Sequence, residues 1–201
     1  CTIFTGNCNF RCAFCQNESL VLNPSSQPVI KEEEIFAHLT KRKNILQGVC
    51  ITGGEPTLQP DLPEFIRKIK DLGLAVKLDT NGYRPEVLKK LAEDGLIDMV
   101  AMDIKAEPSG YAAITQIKDI DMDRICDSVD FLIHGKLPYE FRTTVVAEYF
   151  NTDSAKDLGM WLAGSRAYFL QNFKDSESVM VSGLHSRTKE ELLEYREILS
   201  K

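Results

Sequence analysis

Short runs of continuous or alternating apolar residues punctuate the chain, separated by stretches in which apolar positions recur every three or four residues. The short runs are "CTIFT" (1–5), "GVCIT" (48–52), "AVKLDT" (75–80), "DMVAMDI" (98–104), "YEFRTTVV" (139–146) and "AYFLQNF" (167–173). They are rich in β-branched and aromatic residues and bounded by Gly, Asn or Pro, which predicts six strands. The longer periodic stretches predict helices. "IKEEEIFAHLTKRK" (30–43) places acids in its first turn and bases in its last, opposing the helix dipole. "LPEFIRKIKDLG" (62–73) and "RPEVLKKLAEDG" (84–95) carry Pro near the start and Gly at the end. "MDRICDSVDFLIHG" (122–135), "DSAKDLGMWLAG" (153–164) and "TKEELLEYREIL" (188–199) follow, the last opened by a Thr188–Glu191 capping box.

Six strand-then-helix units predict an α/β fold with parallel pairing and right-handed crossovers. A closed eight-unit barrel takes about 250 residues. The 201 residues here fit a partial, open (β/α)6 barrel, truncated relative to the eight-unit form, as a single domain over 1–201. Such a sheet is expected to leave one lateral side of its mouth open. "LNPSSQP" (22–28) is the one Pro/Ser-rich stretch and reads as a loop.

Composition narrows the function classes. The net charge of -6 and pI near 5.2 argue against a nucleic-acid or anionic-membrane surface. No apolar run approaches the about 18 residues of a membrane span. Residue 1 is Cys rather than Met and "CTIF" reads as mid-strand, so the N-terminus is expected to be truncated; truncation is expected at the C-terminus too. The six cysteines are not spread as a stapling framework: Cys8, Cys12 and Cys15 cluster, while Cys1, Cys50 and Cys126 fall in apolar or helical patterns. That distribution points to a reducing, cytoplasmic compartment rather than to disulfides.

The chemically unusual residues all fall at or near the carboxyl ends of the predicted strands, the face on which parallel α/β proteins bind ligands. The cysteine loop follows the first strand, "GGEP" (53–56) the second, "DTNG" (79–82) the third and "DIK" (103–105) the fourth; "FRTT" (141–144) and "LQNF" (170–173) belong to the fifth and sixth. Three thiolates without a fourth local Cys or His leave one metal position open. That favours an iron–sulfur cluster over structural zinc, packing or a disulfide. Gly53 and Gly54 let backbone approach a ligand closely before Glu55, although a plain strand-to-helix turn is the alternative. Asp79 and Asp103 end adjacent strands, so their carboxylates repel unless Lys105 or a metal ion intervenes; helix capping is the alternative. Asn81-Gly82 reads as a turn. Arg142, inside a strand, needs an anionic partner, with a ligand carboxylate or Glu55 as candidates.

The Cys8-Asn-Phe-Arg-Cys12-Ala-Phe-Cys15 loop, with Phe14 before the last cysteine, resembles that of the radical S-adenosylmethionine (SAM) enzymes. "ITGGEPTLQ", "KLDTNG", "AMDIKA" and "YEFRTTVV" are similar, in order and spacing, to the anaerobic ribonucleoside-triphosphate reductase activating proteins. These belong with the glycyl radical enzyme activases, such as pyruvate formate-lyase activating enzyme. The resemblance implies a partial barrel, a 4Fe-4S cluster on Cys8, Cys12 and Cys15, and SAM on the fourth iron. It implies Gly53, Gly54 and Glu55 at the SAM amino end, Lys105 at the ribose and Arg142 at the carboxylate. Asp79, Thr80 and Asp103 match positions around a monovalent cation. No catalytic residue is implied beyond cluster and SAM.

The implied activity is that of an oxidoreductase. Reductive SAM cleavage yields a 5′-deoxyadenosyl radical that takes a glycine Cα hydrogen from a partner enzyme, foremost anaerobic ribonucleotide reductase. Flavodoxin or ferredoxin would serve as reductant. Gln16 departs from the His that many activases carry after the third cysteine. The alternatives are a small-molecule radical SAM enzyme similar to 7-carboxy-7-deazaguanine synthase, and a zinc-binding interaction module.

Overall fold

The computed structural model describes residues 1–200. Its strands are β1 (Thr2–Thr5), β2 (Gly48–Gly53), β3 (Ala75–Thr80), β4 (Met99–Asp103), β5 (Tyr139–Val145) and β6 (Tyr168–Asn172). The helices are α1 (Glu18–Leu22), α2 (Glu32–Arg42), α3 (Leu62–Asp71), α4 (Pro85–Glu93), α5 (Tyr111–Thr115), α6 (Met122–His134), α7 (Thr152–Trp161) and α8 (Lys189–Leu199). The six strands form one parallel sheet in the order β1-β2-β3-β4-β5-β6, and β6 does not return to pair with β1. This is the expected open, partial barrel. All six predicted strands and all six long helices are present. The single-turn helices α1 and α5 are additional, as is a 3-10 turn at Pro24–Ser26 inside the predicted loop.

Local chemistry sets the element ends. In α3 and α4 a proline occupies the first turn, and Gly73 (φ 79°) and Gly95 (φ 67°) follow the last in left-handed geometry. Asp121, Asn151 and Thr188 accept backbone N–H groups at the starts of α6, α7 and α8, and Thr188 and Glu191 complete the predicted capping box.

Because side chains alternate along a strand, the register divides the sheet into two unlike faces. Ile51, Leu78, Val100, Met102 and Phe141 lie fully buried under the helices and form the middle of the core. The other, concave face carries Phe4, Cys50, Lys77, Asp79, Ala101, Asp103, Glu140, Arg142, Phe169 and Gln171 in matched register. A closed eight-strand barrel fills this interior with branched apolar side chains. Here it is polar, partly exposed and flanked on the two edge strands by Phe4 (57% exposed) and Phe169 (52%).

The mouth is less open than the strand count suggests. After β6 the chain crosses back toward the β1 side, where Met180 N–H donates to the Cys15 carbonyl (3.1 Å) and Val181 N–H to that of Ala13 (3.0 Å). The chain thus supplies part of the wall that the expected open side lacked. No helix among the described residues is long and apolar enough to cross a membrane.

Candidate active site

Every strand contributes its carboxyl end to one cavity of about 390 Å³. Its walls include the three clustered cysteines with Phe10 and Phe14, Gly53–Glu55 after β2, Asp79–Asn81 after β3, Asp103 and Lys105 after β4, Thr144 on β5, and Gln171–Lys174 after β6. All candidate site residues except Arg142 therefore meet on one surface.

The cysteine loop is held from outside its thiols. Arg11 Nη1 donates to the carbonyls of Cys8 (2.6 Å) and Phe10 (2.8 Å), and its backbone N–H to Thr115 on α5 (3.0 Å). Phe10 packs edge-on against Tyr83, with ring centroids 5.4 Å apart. The thiols themselves are free. Weak N–H···S contacts reach Cys8 Sγ from Phe10 N (3.4 Å) and Asn81 Nδ2 (3.9 Å). Burial pushes the Cys8 thiol up and that of Cys12 to about 12.

The glycines of "GGEP" serve the backbone rather than a ligand alone. A Cβ at Gly53, whose φ is 119°, would strike the Thr5 backbone, and one at Gly54 the Asn7 carbonyl. Without them the end of β2 lies flat against the root of the cysteine loop, with Gly54 N–H on Thr5 O (2.9 Å) and Glu55 N–H on Asn7 O (2.8 Å).

Glu55 is buried, at 1% exposure, and is not the partner of Arg142. It accepts from Thr57 Oγ1 (2.5 Å) and N–H (3.1 Å), Thr80 Oγ1 (2.7 Å) and the Asn81 N–H (2.7 Å). Burial raises its pKa against the pull of these donors. Asn81, read from sequence as a turn, also donates to Asn9 Oδ1 (2.8 Å) and so ties the end of β3 to the cysteine loop.

The anionic partners of Arg142 are Asp103, reached by Nε at 2.9 Å, and Asp79, reached by Nη1 at 3.3 Å. Lys105 Nζ meets Asp103 Oδ2 at 3.0 Å, and its backbone N–H donates to Tyr111 Oη at 3.1 Å. Burial opposes both ionised forms. Even so, the pairing holds Lys105 above its ordinary pKa and Asp103 below its own. The expected repulsion between Asp79 and Asp103 is thus answered by two cations of the chain, one of them unforeseen in this role. Lys77 extends the network to Glu140 (3.0 Å) and toward Asp79 (3.5 Å). Asp79 Oδ1 is buried and accepts no hydrogen bond, with the Lys77 ammonium 3.5 Å away as its ion-pair partner.

An open half-barrel of parallel strands with a thiol-lined mouth at the strand carboxyl ends defines a cofactor-dependent α/β protein. The chain belongs to the radical SAM superfamily, whose family model matches residues 2–155. A Methanocaldococcus jannaschii protein named as a glycyl-radical enzyme activating enzyme is 30% identical over 180 residues, 88% of this chain and 73% of its own. A Thermococcus kodakarensis protein named as a GTP 3′,8-cyclase is 32% identical over 137 residues, 66% of this chain and 44% of its own. A 7-carboxy-7-deazaguanine synthase of Koribacter versatilis is 34% identical over 137 residues, 67% of this chain and 56% of its own. The chain thus spans about half the length of the latter two. Among solved structures, Streptococcus suis SuiB bound to S-adenosylmethionine superposes with a TM-score of 0.73 at 16% identity, covering 99% of this chain and 46% of that one.

Membership implies a 4Fe-4S cluster and SAM, and the residues fit them. The donor set is three free thiols lining one cavity, which has room for a small cofactor. No group of three or more His, Cys, Asp or Glu among the described residues is placed to hold a single metal ion.

Proposed function

We propose that the chain, as one radical SAM domain over 1–201, activates a glycyl radical enzyme in the cytoplasm, foremost an anaerobic ribonucleotide reductase. The observation that carries this reading is the 30% identity to a protein named for that activity, which runs through 88% of this chain. Cys8, Cys12 and Cys15 hold the cluster. When bound, cluster and SAM supply the one-electron cleavage that ends in abstraction of a partner glycine's Cα hydrogen, with flavodoxin or ferredoxin as electron source.

The chain's own residues bind, orient and exclude water. Gly53, Gly54 and Glu55 form the floor at the SAM amino end, and the four donors on Glu55 fix its carboxylate before any ligand arrives. Lys105, locked by Asp103 and Tyr111, faces the ribose. Thr80 and Asn81 link that floor to the cysteine loop. Arg142 holds Asp79 and Asp103 in place, and a monovalent cation at Asp79, Thr80 and Asp103 would have to compete with Lys77 and Lys105 for these carboxylates.

A second reading, a small-molecule radical SAM enzyme, is favoured by the cyclase and deazaguanine synthase relatives. The charge of the concave face weighs against a nucleoside triphosphate. Lys77, Lys105 and Arg142 are each paired with Asp79, Asp103 or Glu140, which leaves Lys174, among the described residues, as the one cavity-lining cation outside these pairs for a polyphosphate. Anaerobic incubation with dithionite, SAM and candidate glycyl radical proteins, read by electron paramagnetic resonance, tests the proposal. A glycyl doublet supports it, whereas turnover of GTP or formation of 7-carboxy-7-deazaguanine without any protein substrate establishes the second reading.

A further inference from the structure

The segment 174–184 has no counterpart among the predicted elements, yet it borders the site on the side between the two sheet edges. β1 and β6 are unpaired edges, so nothing in the sheet itself separates the cysteine loop from solvent between them. This segment leaves β6 at the mouth and crosses that gap. Its backbone N–H groups at Met180 and Val181 donate to the carbonyls of Cys15 (3.1 Å) and Ala13 (3.0 Å). From the loop side, Gln16 Nε2 donates to the Lys174 carbonyl at 2.7 Å. All three bonds end on carbonyls, so none consumes a cysteine thiol.

Both ends of the crossing are fastened. At its start Phe173 is buried, and Asn172 and Arg187 exchange hydrogen bonds of 2.7 and 3.0 Å. At its far end Ala147 N–H donates to the His185 carbonyl (2.9 Å), after Gly183 turns the chain at φ 81°. Val179 and Leu184 are buried between these anchors, while Val181 faces outward at 39% exposure. Buried Val179 and Leu184 seat the segment, and the Met180 and Val181 bonds fix its contact with the cysteine loop, so losing a bond loosens that contact while the anchors and sheet stay intact. Of the clustered cysteines, Cys12 is buried and Cys8 and Cys15 are partly so; only Cys15, through its carbonyl, and its neighbours Ala13 and Gln16 bond this crossing.

We propose that residues 174–184 are a strap that walls the open side of the half-barrel over Cys15. Gln16 is a positioning residue that latches the strap, and Val181 contributes its backbone donor. The strap sets how fast solvent-borne oxidants and electrophiles reach Cys15, and it holds the Cys15 carbonyl and hence the loop's exit. Its importance for the cluster rests on the reading of Cys15 as a cluster thiolate; its existence as a barrier does not.

The test uses the metal-free, reduced chain. Iodoacetamide alkylation of Cys15 is followed by mass spectrometry, with the partly exposed Cys126 on α6 as internal reference. Gln16→Glu keeps the shape but removes the donor aimed at the Lys174 carbonyl. Val181→Pro removes a backbone donor at an exposed position. Each is expected to speed Cys15 alkylation about two- to tenfold, the range one hydrogen bond spans, and to leave Cys126 unchanged. Gln16→His, which can again donate, is expected to restore most of the protection. In reconstituted protein, bleaching of the cluster's visible absorbance in air should accelerate in the same order.

Unchanged Cys15 rates in both variants, or equal acceleration at Cys126, would overturn the strap. A chain that takes up no iron yet shows the Cys15-selective rise would overturn the activase reading and leave the strap standing.

Discussion

Arg142 on β5 lies in register with Asp103 on β4, and two of its guanidinium nitrogens reach the same carboxylate oxygen, at 2.9 and 2.8 Å. The third turns to Asp79 on β3 at 3.3 Å, so one side chain clamps the ends of three adjacent strands. Removing it would leave two carboxylates facing each other with only Lys77 and Lys105 to offset them. These side chains are 13% to 33% exposed, between the surface and fully buried regimes. Arg142→Gln is therefore expected to cost about 1–3 kcal/mol in urea unfolding of the metal-free chain. The double change with Asp103→Asn should cost less than the two single costs added together. Strict additivity would mean that the clamp contributes nothing.

The same pairing fixes a pH dependence. Burial raises the Asp103 pKa, but Lys105 and Arg142 outweigh it and hold the carboxyl below its ordinary 3.8. A depressed folded-state value contributes stability that is fully present above 3.8 and is lost as pH falls through the folded value. Asp103→Asn should thus be less stable than the parent at neutral pH, yet lose less stability between about pH 5 and pH 2. Parallel acid unfolding curves for the two proteins would refute this.

Gly54→Ala should do more harm than its small size suggests. The added methyl falls on the Asn7 carbonyl, part of a backbone already hydrogen-bonded to Glu55 N–H, so neither side can yield. The expected loss is about 3 kcal/mol, with iron uptake impaired because the root of the cysteine loop is displaced. Gly73→Ala provides the contrast: its φ of 79° strains an alanine, but nothing lies within 4 Å of the new atom. About 1 kcal/mol is expected there, with normal iron content. Thermal melts and iron assays on both proteins decide the matter.

The strands were legible because each is a short apolar run between turn residues, and parallel order follows from the helices between them. The clustering at strand carboxyl ends followed from the same alternation. What remained hidden depends on side-chain direction or on long-range backbone contacts. Strand parity separates Arg142, on the concave face with Asp79 and Asp103, from Thr80, on the helix side beside Glu55; it would have excluded Glu55 as the arginine's partner. Asn81 looks like a turn residue because its use, on Asn9 and Cys8, spans more than 70 positions of sequence. Helices α1 and α5 are one turn each, too short to show a periodic face. The strap pairs through backbone N–H groups, which leave no residue signature at all.

Ligand assignment at the cluster is checked by iron content. Cys8→Ala, Cys12→Ala and Cys15→Ala should each abolish the iron–sulfur absorbance, since no other thiol lines the cavity. Cys126→Ala should leave it unchanged, because that residue lies on α6, away from the mouth. Cys50 sits on the concave face beside Lys77, outside the cavity wall, and Cys50→Ala should also retain iron. Loss of iron in either of these last two variants would require a different ligand set.

The concave face leads to the final expectation. It is polar, balanced in charge, flanked by two exposed phenylalanines, and continuous at Asp79 and Asp103 with the cofactor cavity. Under the activase reading, a glycine-bearing loop of the partner enters here, because a Cα without a side chain can approach closely. Such a loop would cover Phe4 and Phe169, exclude water from the mouth and order the residues that hold SAM. SAM should therefore bind more tightly with the partner present, and the partner more tightly with SAM, by the same factor, since binding coupling is reciprocal. Calorimetric titration of each ligand with and without the other measures both factors. Phe4→Ser with Phe169→Ser should reduce the coupling while leaving SAM affinity of the isolated chain unchanged. Equal SAM affinities with and without the partner, or a loss of intrinsic SAM binding in the double variant, would show that the partner loop does not occupy this face.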